Sequence, residues 1–360
     1  MKAIHFSVAA ALAACAGQAV AAESNVTLYG SLDAGIEYRK FSAGSAGGGG
    51  SGWGVANGSS KANRLGLRGS EDLGGGSSIF FVLEGGLDIA TGTSVPNGVL
   101  FNRRSVVGAK GAWGELSFGR DYTPAFWAMA YTDYTQSGMY GGAGPTSQVV
   151  ELGLIRQSNG VFYTSPTVNG FSAKMLWSNG TTTSSTPATT TGQMVGLSGH
   201  YASGPAAAGI FYEQKKVEGV GTKPSGKNRY YGVTGQYDFG ELTINGGYTR
   251  YDPVGPNTAT SGTMDGIWLG FMVPVGAAQI SLTLGHIRTS LDASDDGKTW
   301  LYGLNYLYSV SKRTSFYAGV GRASNNDHAA KSLDTGQRAI FGNGLGSDVT
   351  AAMVGMRHTF

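Results

Sequence analysis

The side chains able to do chemistry are few and scattered in this 360-residue chain. His200, His286, His328 and His358 lie on separate segments without an i, i+4 partner, and the single cysteine, Cys15, stands near the start. A zinc site or a serine–histidine pair would have to be assembled from distant segments. Gly221–Asn228 reads G-x-x-x-x-G-K-N, one residue from a phosphate loop. Its last position lacks the hydroxyl that would meet Mg²⁺, however, and Tyr230-Tyr231 reads as strand where a helix is required. Asp292, Ser294, Asp296 and Gly297 imitate the start of a calcium loop, but the twelfth position is Gly303 instead of a bidentate Glu. A solvated turn and a weak external Ca²⁺ site at Asp292 and Asp296 are the two readings of that stretch, and no other cofactor is implied. What remains is charge. Arg64, Arg68, Arg103, Arg104 and Arg120 stand against Glu84, Asp88, Asp121 and Asp133. Rings of charge around a narrow passage select ions, which requires a water-filled channel lined by one face of each element.

The elements that would position such a ring are strands. Val26, Leu28, Leu32, Ala34, Ile36 and Tyr38 alternate with Thr27, Tyr29, Ser31, Asp33 and Glu37, and Val349–Phe360 alternates in the same way. Amphipathic first and last strands suggest a sheet that closes on itself and leaves no unpaired edge. Between them the same theme repeats, giving 16 expected strands. Short turns at 72–76, 111–114, 166–170, 202–206, 238–241, 274–277 and 309–314 alternate with long loops. The long loops fall at 39–62, 91–99, 122–156, 178–193, 215–228, 252–265, 289–299 and 323–348. All tight turns then lie at one end of an up-and-down barrel and all long loops at the other, the pattern of an outer-membrane barrel. No helical periodicity of useful length interrupts it.

Composition agrees. The chain holds 60 glycines, about one residue in six against a usual share of about 7%, and only 14% charged residues. Mean hydropathy of −0.10 excludes a bundle of membrane helices. Gly266–Ala278, the longest later run without strongly polar residues, contains Pro274 and is too short for a spanning helix. Residues 1–22 read as a secretory signal, with Lys2, the apolar core Phe6–Ala16 and small residues through Ala22, so that 23–360 forms the barrel. Leu12-Ala13-Ala14-Cys15 also resembles a lipoprotein cleavage box, a second reading of the same stretch. Without Lys2 the balance is 25 basic against 23 acidic residues, or +2, which does not call for nucleic acid.

The solvent decides which face looks out. The polar parity carries Asp33, Glu37, Arg68, Glu84, Asp88, Arg104 and Lys110, too many charges for a dry interior. The apolar parity should therefore face lipid, and a barrel of this size leaves an aqueous channel. Tyr29, Tyr38, Trp113, Phe118, Tyr163, Trp177, Tyr201, Tyr237, Tyr248, Trp300 and Phe360 lie near segment ends, as interfacial girdles would.

Several stretches then resemble one family: Val26-Thr27-Leu28-Tyr29-Gly30, Gly69-Ser70-Glu71-Asp72-Leu73-Gly74-Gly75-Gly76, Phe101-Asn102-Arg103-Arg104 running to Phe118-Gly119-Arg120, Tyr163-Thr164-Ser165-Pro166 with Gly170-Phe171, Ser311-Lys312-Arg313-Thr314, and Val354–Phe360. In order and over the whole mature chain they resemble the general (non-specific) porins of β-proteobacteria, Gram-negative trimeric porins. The resemblance implies an all-β fold, a 16-stranded antiparallel transmembrane β-barrel with an inward-folded third long loop. It implies a homotrimer in the cell outer membrane, in contact with lipopolysaccharide and outer-membrane lipid, that passes small hydrophilic solutes and ions. Phe360 resembles the terminal signal read by the outer-membrane barrel assembly machinery. The third long loop corresponds to 122–156, which carries Tyr122, Phe126, Trp127, Tyr131, Tyr134 and Tyr140. The acidic Pro-Glu-Phe-type motif of some relatives is missing from it.

For the constriction the expected residues are Arg64, Arg68, Arg104, Arg120, Glu84, Asp88, Asp121 and Asp133. Parity places Arg68, Glu84, Asp88 and Arg104 in the lumen, whereas Arg120 shares parity with Leu116 and Phe118 and rests on the family's recurrent Gly-Arg. A basic cluster opposite few loop acids gives a weak anion preference; pairing of arginines with acids would instead leave the pore near neutral. Lys215, Lys216, Lys223, Lys227 and Arg229 either enrich anions at the mouth or meet lipopolysaccharide phosphates. The alternatives to a channel are an outer-membrane barrel with lipase-like activity, for which only His358 has the right parity, and an adhesin with a plugged lumen.

Overall fold

The structure is a computed structural model that describes residues 25–45, 47–95, 99–133, 138–142, 154–180, 192–217, 226–254, 262–291, 295–333 and 344–360. The signal at 1–22, Tyr134, Lys223, Asp292 and Ser294 lie outside the described residues. The strands are β1 (Asn25–Phe41), β2 (Gly50–Asn57), β3 (Arg64–Gly74), β4 (Ser77–Asp88), β5 (Thr93–Ser94) and β6 (Arg104–Gly111). They continue as β7 (Gly114–Tyr122), β8 (Arg156–Thr164), β9 (Phe171–Asn179), β10 (Gln193–Ser203), β11 (Ala206–Val217) and β12 (Gly226–Asp238). The remainder are β13 (Thr243–Asp252), β14 (Met264–Val275), β15 (Ala278–Thr289), β16 (Gly297–Ser309), β17 (Thr314–Asn325) and β18 (Val349–Thr359).

These strands form one antiparallel sheet that closes between its ends, from Ser31 opposite Thr359 to Phe41 opposite Val349. Closure removes the free edges, and Phe360 extends it by exchanging backbone hydrogen bonds with Gly30 at 3.0 and 3.2 Å. The barrel has 16 staves. Two short strands account for the excess. β5 is a two-residue ribbon on β4, and β2 and β3 are successive parts of one stave beside β1, with β2 against Ala34–Phe41 and β3 against Asn25–Ser31. The segment 39–62, expected as a loop, is therefore strand at 39–41 and 50–57. β1 continues to Phe41 and β2 returns beside it, because Ile36–Val55 and Tyr38–Trp53 form matching cross-strand pairs.

Alternation sets the faces as expected. Leu28, Leu32, Ile36, Val107, Phe118, Ile210, Ile267, Leu304, Val320 and Val354 are exposed on the outer surface, while Asp33, Glu37, Arg39, Ser198, Glu213, Thr249 and Asn305 are buried inside. A lipid-embedded barrel with a polar lumen requires this inversion. Trp113, Phe118, Trp177, Tyr237, Tyr248, Trp300 and Phe360 lie on the exposed side as girdle residues should. Tyr29 does not. It stands on the parity of Ser31 and Asp33, and its hydroxyl donates to Glu84 Oε2 at 3.0 Å.

A helix of seven residues forms within 122–156, too short to interrupt the repeat of strands. Helix α1 (Pro124–Ala130) starts at Thr123, whose Oγ1 accepts from the Phe126 amide, with Pro124 in the first turn where its missing N–H costs nothing. A 3-10 turn follows at Met139–Gly142.

Candidate functional site: the charged wall and its facing segment

The charged cluster grows from the tops of β4, β6 and β7. Asn102 fixes the entry to β6, accepting from the Gly86 amide at 3.1 Å and donating to the Val99 carbonyl at 3.0 Å. Arg103 and Arg104 follow it. Arg103 Nε donates to Glu84 Oε1 at 2.7 Å, and Arg64 approaches Glu84 Oε2 at 3.8 Å. Arg104 makes the planar fork that suits guanidinium, with Nε and Nη2 on the two oxygens of Asp121 at 2.8 and 2.6 Å. The Tyr122 hydroxyl accepts from Arg103 Nη2 at 2.6 Å and from Arg156 Nη2 at 2.8 Å, and the Arg156 guanidinium carbon lies 4.3 Å from the Tyr122 ring centre. Three guanidinium groups thus pair with two carboxylates, and a fourth, Arg156, joins them through Tyr122, whose amide also donates to Asp121 Oδ1 at 2.7 Å. Arg64, Arg104, Glu84 and Asp121 of the expected set come together here.

The others go elsewhere. Arg68 is exposed beside Tyr29, its guanidinium carbon 5.2 Å from that ring centre. Asp88 turns back on its own chain, its Oδ1 accepting from the Ala90 amide at 2.8 Å. Asp133 lies half-buried just beyond α1. Arg120 follows a bulge in which Gly119 takes φ +130°, and it donates to the Asn102 carbonyl at 2.6 Å and to Ser158 Oγ at 2.8 Å. That bulge is the reason parity fails at Arg120. Arg156 and Tyr122, absent from the expected set, bracket the 122–156 segment. Arg156 opens β8 on the parity of the buried Phe162, a signal that alternation does carry, and Asn159 between them takes φ +53°.

The segment between them touches two separate stretches of wall. On one, the Ala125 amide donates to Glu213 Oε1 at 2.7 Å, Thr234 Oγ1 donates to the Ala128 carbonyl at 2.9 Å, and Asn245 Nδ2 donates to the Thr132 carbonyl at 2.9 Å. Gly196 and Gly209 leave room there for Pro124 and Ala128. Lys174 Nζ lies 4.9 Å above the Trp127 ring. On the other stretch Tyr140 seats in a notch of Gly303, Gly319 and Gly321, where side chains would meet it. Its amide donates to Asn305 Oδ1 at 3.1 Å, and its hydroxyl donates to Glu37 Oε1 at 2.6 Å. Burial, and then the Glu37 carboxylate, push the Tyr140 phenol above its ordinary range, so it remains a donor. Glu37 is paired in turn with Arg39 at 3.0 Å, and Asp33 accepts from Tyr317 at 2.6 Å.

Among the described residues catalytic geometry is not assembled. Ser198 and His200 share a 2.7 Å hydrogen bond, but His200 Nδ1 has no hydrogen-bond partner among the described residues and thus no carboxylate to orient it. His358, the only histidine with the outward parity a lipase-like site would need, bonds Thr314 Oγ1 at 2.9 Å. Among the described residues no group of His, Cys, Asp and Glu suits a metal, and Asp296 is taken by Arg288. Asn228 of the phosphate-loop look-alike lies within β12, so a strand stands where a helix would be needed.

Comparison with known proteins agrees with this lumen. Residues 8–328 match the family model described as Gram-negative porin. Outer membrane porin protein 32 of Delftia acidovorans is 29% identical over 98% of this chain and 99% of its own length. An outer membrane porin protein of Bordetella pertussis is 28% identical over 88% of this chain and 93% of its own length. The solved anion-selective porin from Comamonas acidovorans superposes with a TM-score of 0.77 at 28% identity, covering 94% of this chain and all of that one. A closed 16-stave barrel, an inverted polarity and a full-length family match lead to one conclusion: this chain belongs to the Gram-negative porin family, as a channel of the outer membrane and not an enzyme.

Proposed function

We propose that this porin is a general diffusion channel with a weak preference for anions, set where the 122–156 segment narrows the lumen against the Arg64–Arg103–Arg104–Arg156 wall. The carrying observation is that four guanidinium groups stand with only the carboxylates of Glu84 and Asp121 in one cluster, an excess of two positive charges, Arg156 being held by the Tyr122 hydroxyl and not by an acid. Excess fixed charge at a narrow ring concentrates the counter-ion. Attachment of the segment at Glu213 on one side and at Glu37 and Asn305 on the other supports its crossing the lumen. The Comamonas relative, described as anion-selective, favours the same sign.

A homotrimer is the assembly proposed. The apolar outer surface over β1, β2 and β16 to β18, with Ile36, Trp53, Leu304, Val320 and Val354 exposed, suits a neighbouring copy. Lys227 and Arg229, exposed on β12, suit lipopolysaccharide phosphates. Phe360 suits the barrel assembly machinery. Reconstitution into planar bilayers across a KCl gradient tests the reading. Long-lived steps in triplets with a reversal potential of Cl⁻ sign are expected, and a potential of K⁺ sign overturns the anion preference.

A further inference from the structure

We infer that Lys61, carried on a shelf where the second stave of the barrel breaks, adds to the selectivity by forming, with Arg64 and Arg357, a station for small hydrated anions that adjoins the Arg103–Arg104–Arg156 cluster through Arg64. The inference rests on the anion-preferring reading above. β2 leaves β1 after Asn57 opposite Ala34, and β3 resumes at Arg64 opposite Ser31. Six residues, 58–63, therefore stand against Leu32 and Asp33 alone. The excess cannot go outward into lipid, because its backbone groups would lose their partners there. It turns inward, where Ser59, Ser60 and Asn63 are buried against lumenal side chains.

The shelf is built rather than loose. Gly58 turns with φ +70°, and its amide donates to the Asp33 carbonyl at 3.0 Å. Asn63 clamps Asp33 through both its side-chain atoms and donates to Asn57 Oδ1. Asp33 Oδ2 accepts the Ser60 and Lys61 amides at 3.0 and 2.8 Å, and Oδ1 accepts from Tyr317. Arg357 Nη1 donates to Ser60 Oγ at 3.1 Å, and the Met139 amide donates to the Ser59 carbonyl. The negative charge of Asp33 is thus spent on backbone amides and a phenol. Glu84 is spent on Arg103, Arg64 and Tyr29. No carboxylate lies within ion-pair distance of Lys61 among the described residues. Arg64, Arg103 and Arg357 act on its ammonium as like charges, and Glu84 opposes them. Positive groups held together without a matching acid form an anion site.

The groups facing Lys61 are Asp33 on β1, Arg64 on β3, Glu84 on β4, Arg103 ahead of β6, Tyr317 on β17 and Arg357 on β18. Bilayer reversal potentials of the wild-type trimer, Lys61→Gln and Lys61→Arg at about 0.1 M KCl, where screening is modest, test the assignment. Lys61→Gln should lower the Cl⁻/K⁺ permeability ratio roughly twofold or more, as expected for one unit charge a few ångströms from the ion path in water. Lys61→Arg should keep the ratio. Its ratio should also stay flat with rising pH, whereas that of wild type falls, because guanidinium does not titrate there. An unchanged ratio in Lys61→Gln, or identical pH profiles for wild type and Lys61→Arg, overturns the inference. A wild-type channel of K⁺ sign in which Lys61→Gln still shifts toward K⁺ refutes the anion-preferring reading alone. Heat-modifiability of each variant on gels reports folding, and Lys61→Met supplies a second neutral variant if the glutamine does not fold.

Discussion

Placing a methyl group at Gly303 perturbs the seat of Tyr140 without touching a charged residue. A Cβ there would overlap the Tyr140 carbonyl oxygen, and the obstacle is backbone, which cannot swing aside as a side-chain tip can. The seat consists of the phenol–Glu37 hydrogen bond at 2.6 Å and the amide–Asn305 hydrogen bond at 3.1 Å. A hydrogen bond to a charged group contributes about 1.5–3 kcal/mol and a neutral one about 1 kcal/mol. Losing both costs roughly 3 kcal/mol, or a factor of ~10² in the ratio of seated to unseated turn. Glu37 stays paired with Arg39 after the loss, so the barrel itself should fold. In single-channel recordings Gly303→Ala should show greater open-channel noise and added substates. Tyr140→Phe, which removes only the phenol bond, should show a smaller increase. Quiet, wild-type steps from a folded Gly303→Ala trimer would refute the reasoning, since they would mean that the Met139–Gly142 turn is held by something other than this notch.

Two further outcomes concern the charged wall and the closing strand. Glu84→Gln should move the reversal potential further toward Cl⁻. It should also lower the temperature at which the oligomer dissociates on gels, because Arg103 and Glu84 are both nearly inaccessible and breaking a buried pair costs about 3–5 kcal/mol; an unchanged potential would remove Glu84 from the ion path. Deleting Phe360 forfeits its hydrogen bonds with Gly30 and should reduce the yield of heat-modifiable oligomer, with Phe360→Trp largely restoring it; equal yields from all three chains would deny the terminal aromatic a part in assembly.

Alternation made much of this molecule legible from its sequence. A β-strand sends successive side chains to opposite faces, so Leu28, Leu32 and Ile36 against Ser31, Asp33 and Glu37 already determined a barrel with a greasy outside and a wet inside. Pairing of the two terminal strands and the placing of Glu84 and Arg104 in the lumen followed from the same period. Tertiary structure decided whatever breaks the period or depends on distant partners. The bulge at Gly119 redirects Arg120, and the insert at 58–63 lifts Lys61 out of the ladder. Tyr29 was readable by parity as lumenal, but only its fit over Gly66 to Glu84 two strands along the wall shows why an aromatic residue belongs there. The notch under Tyr140 needs Gly303, Gly319 and Gly321 to meet a residue more than 160 positions away, as the hydrogen bond from Tyr140 to Asn305 also requires. A local pattern records which face a residue takes, whereas the partner it finds there is set by closure of the whole sheet.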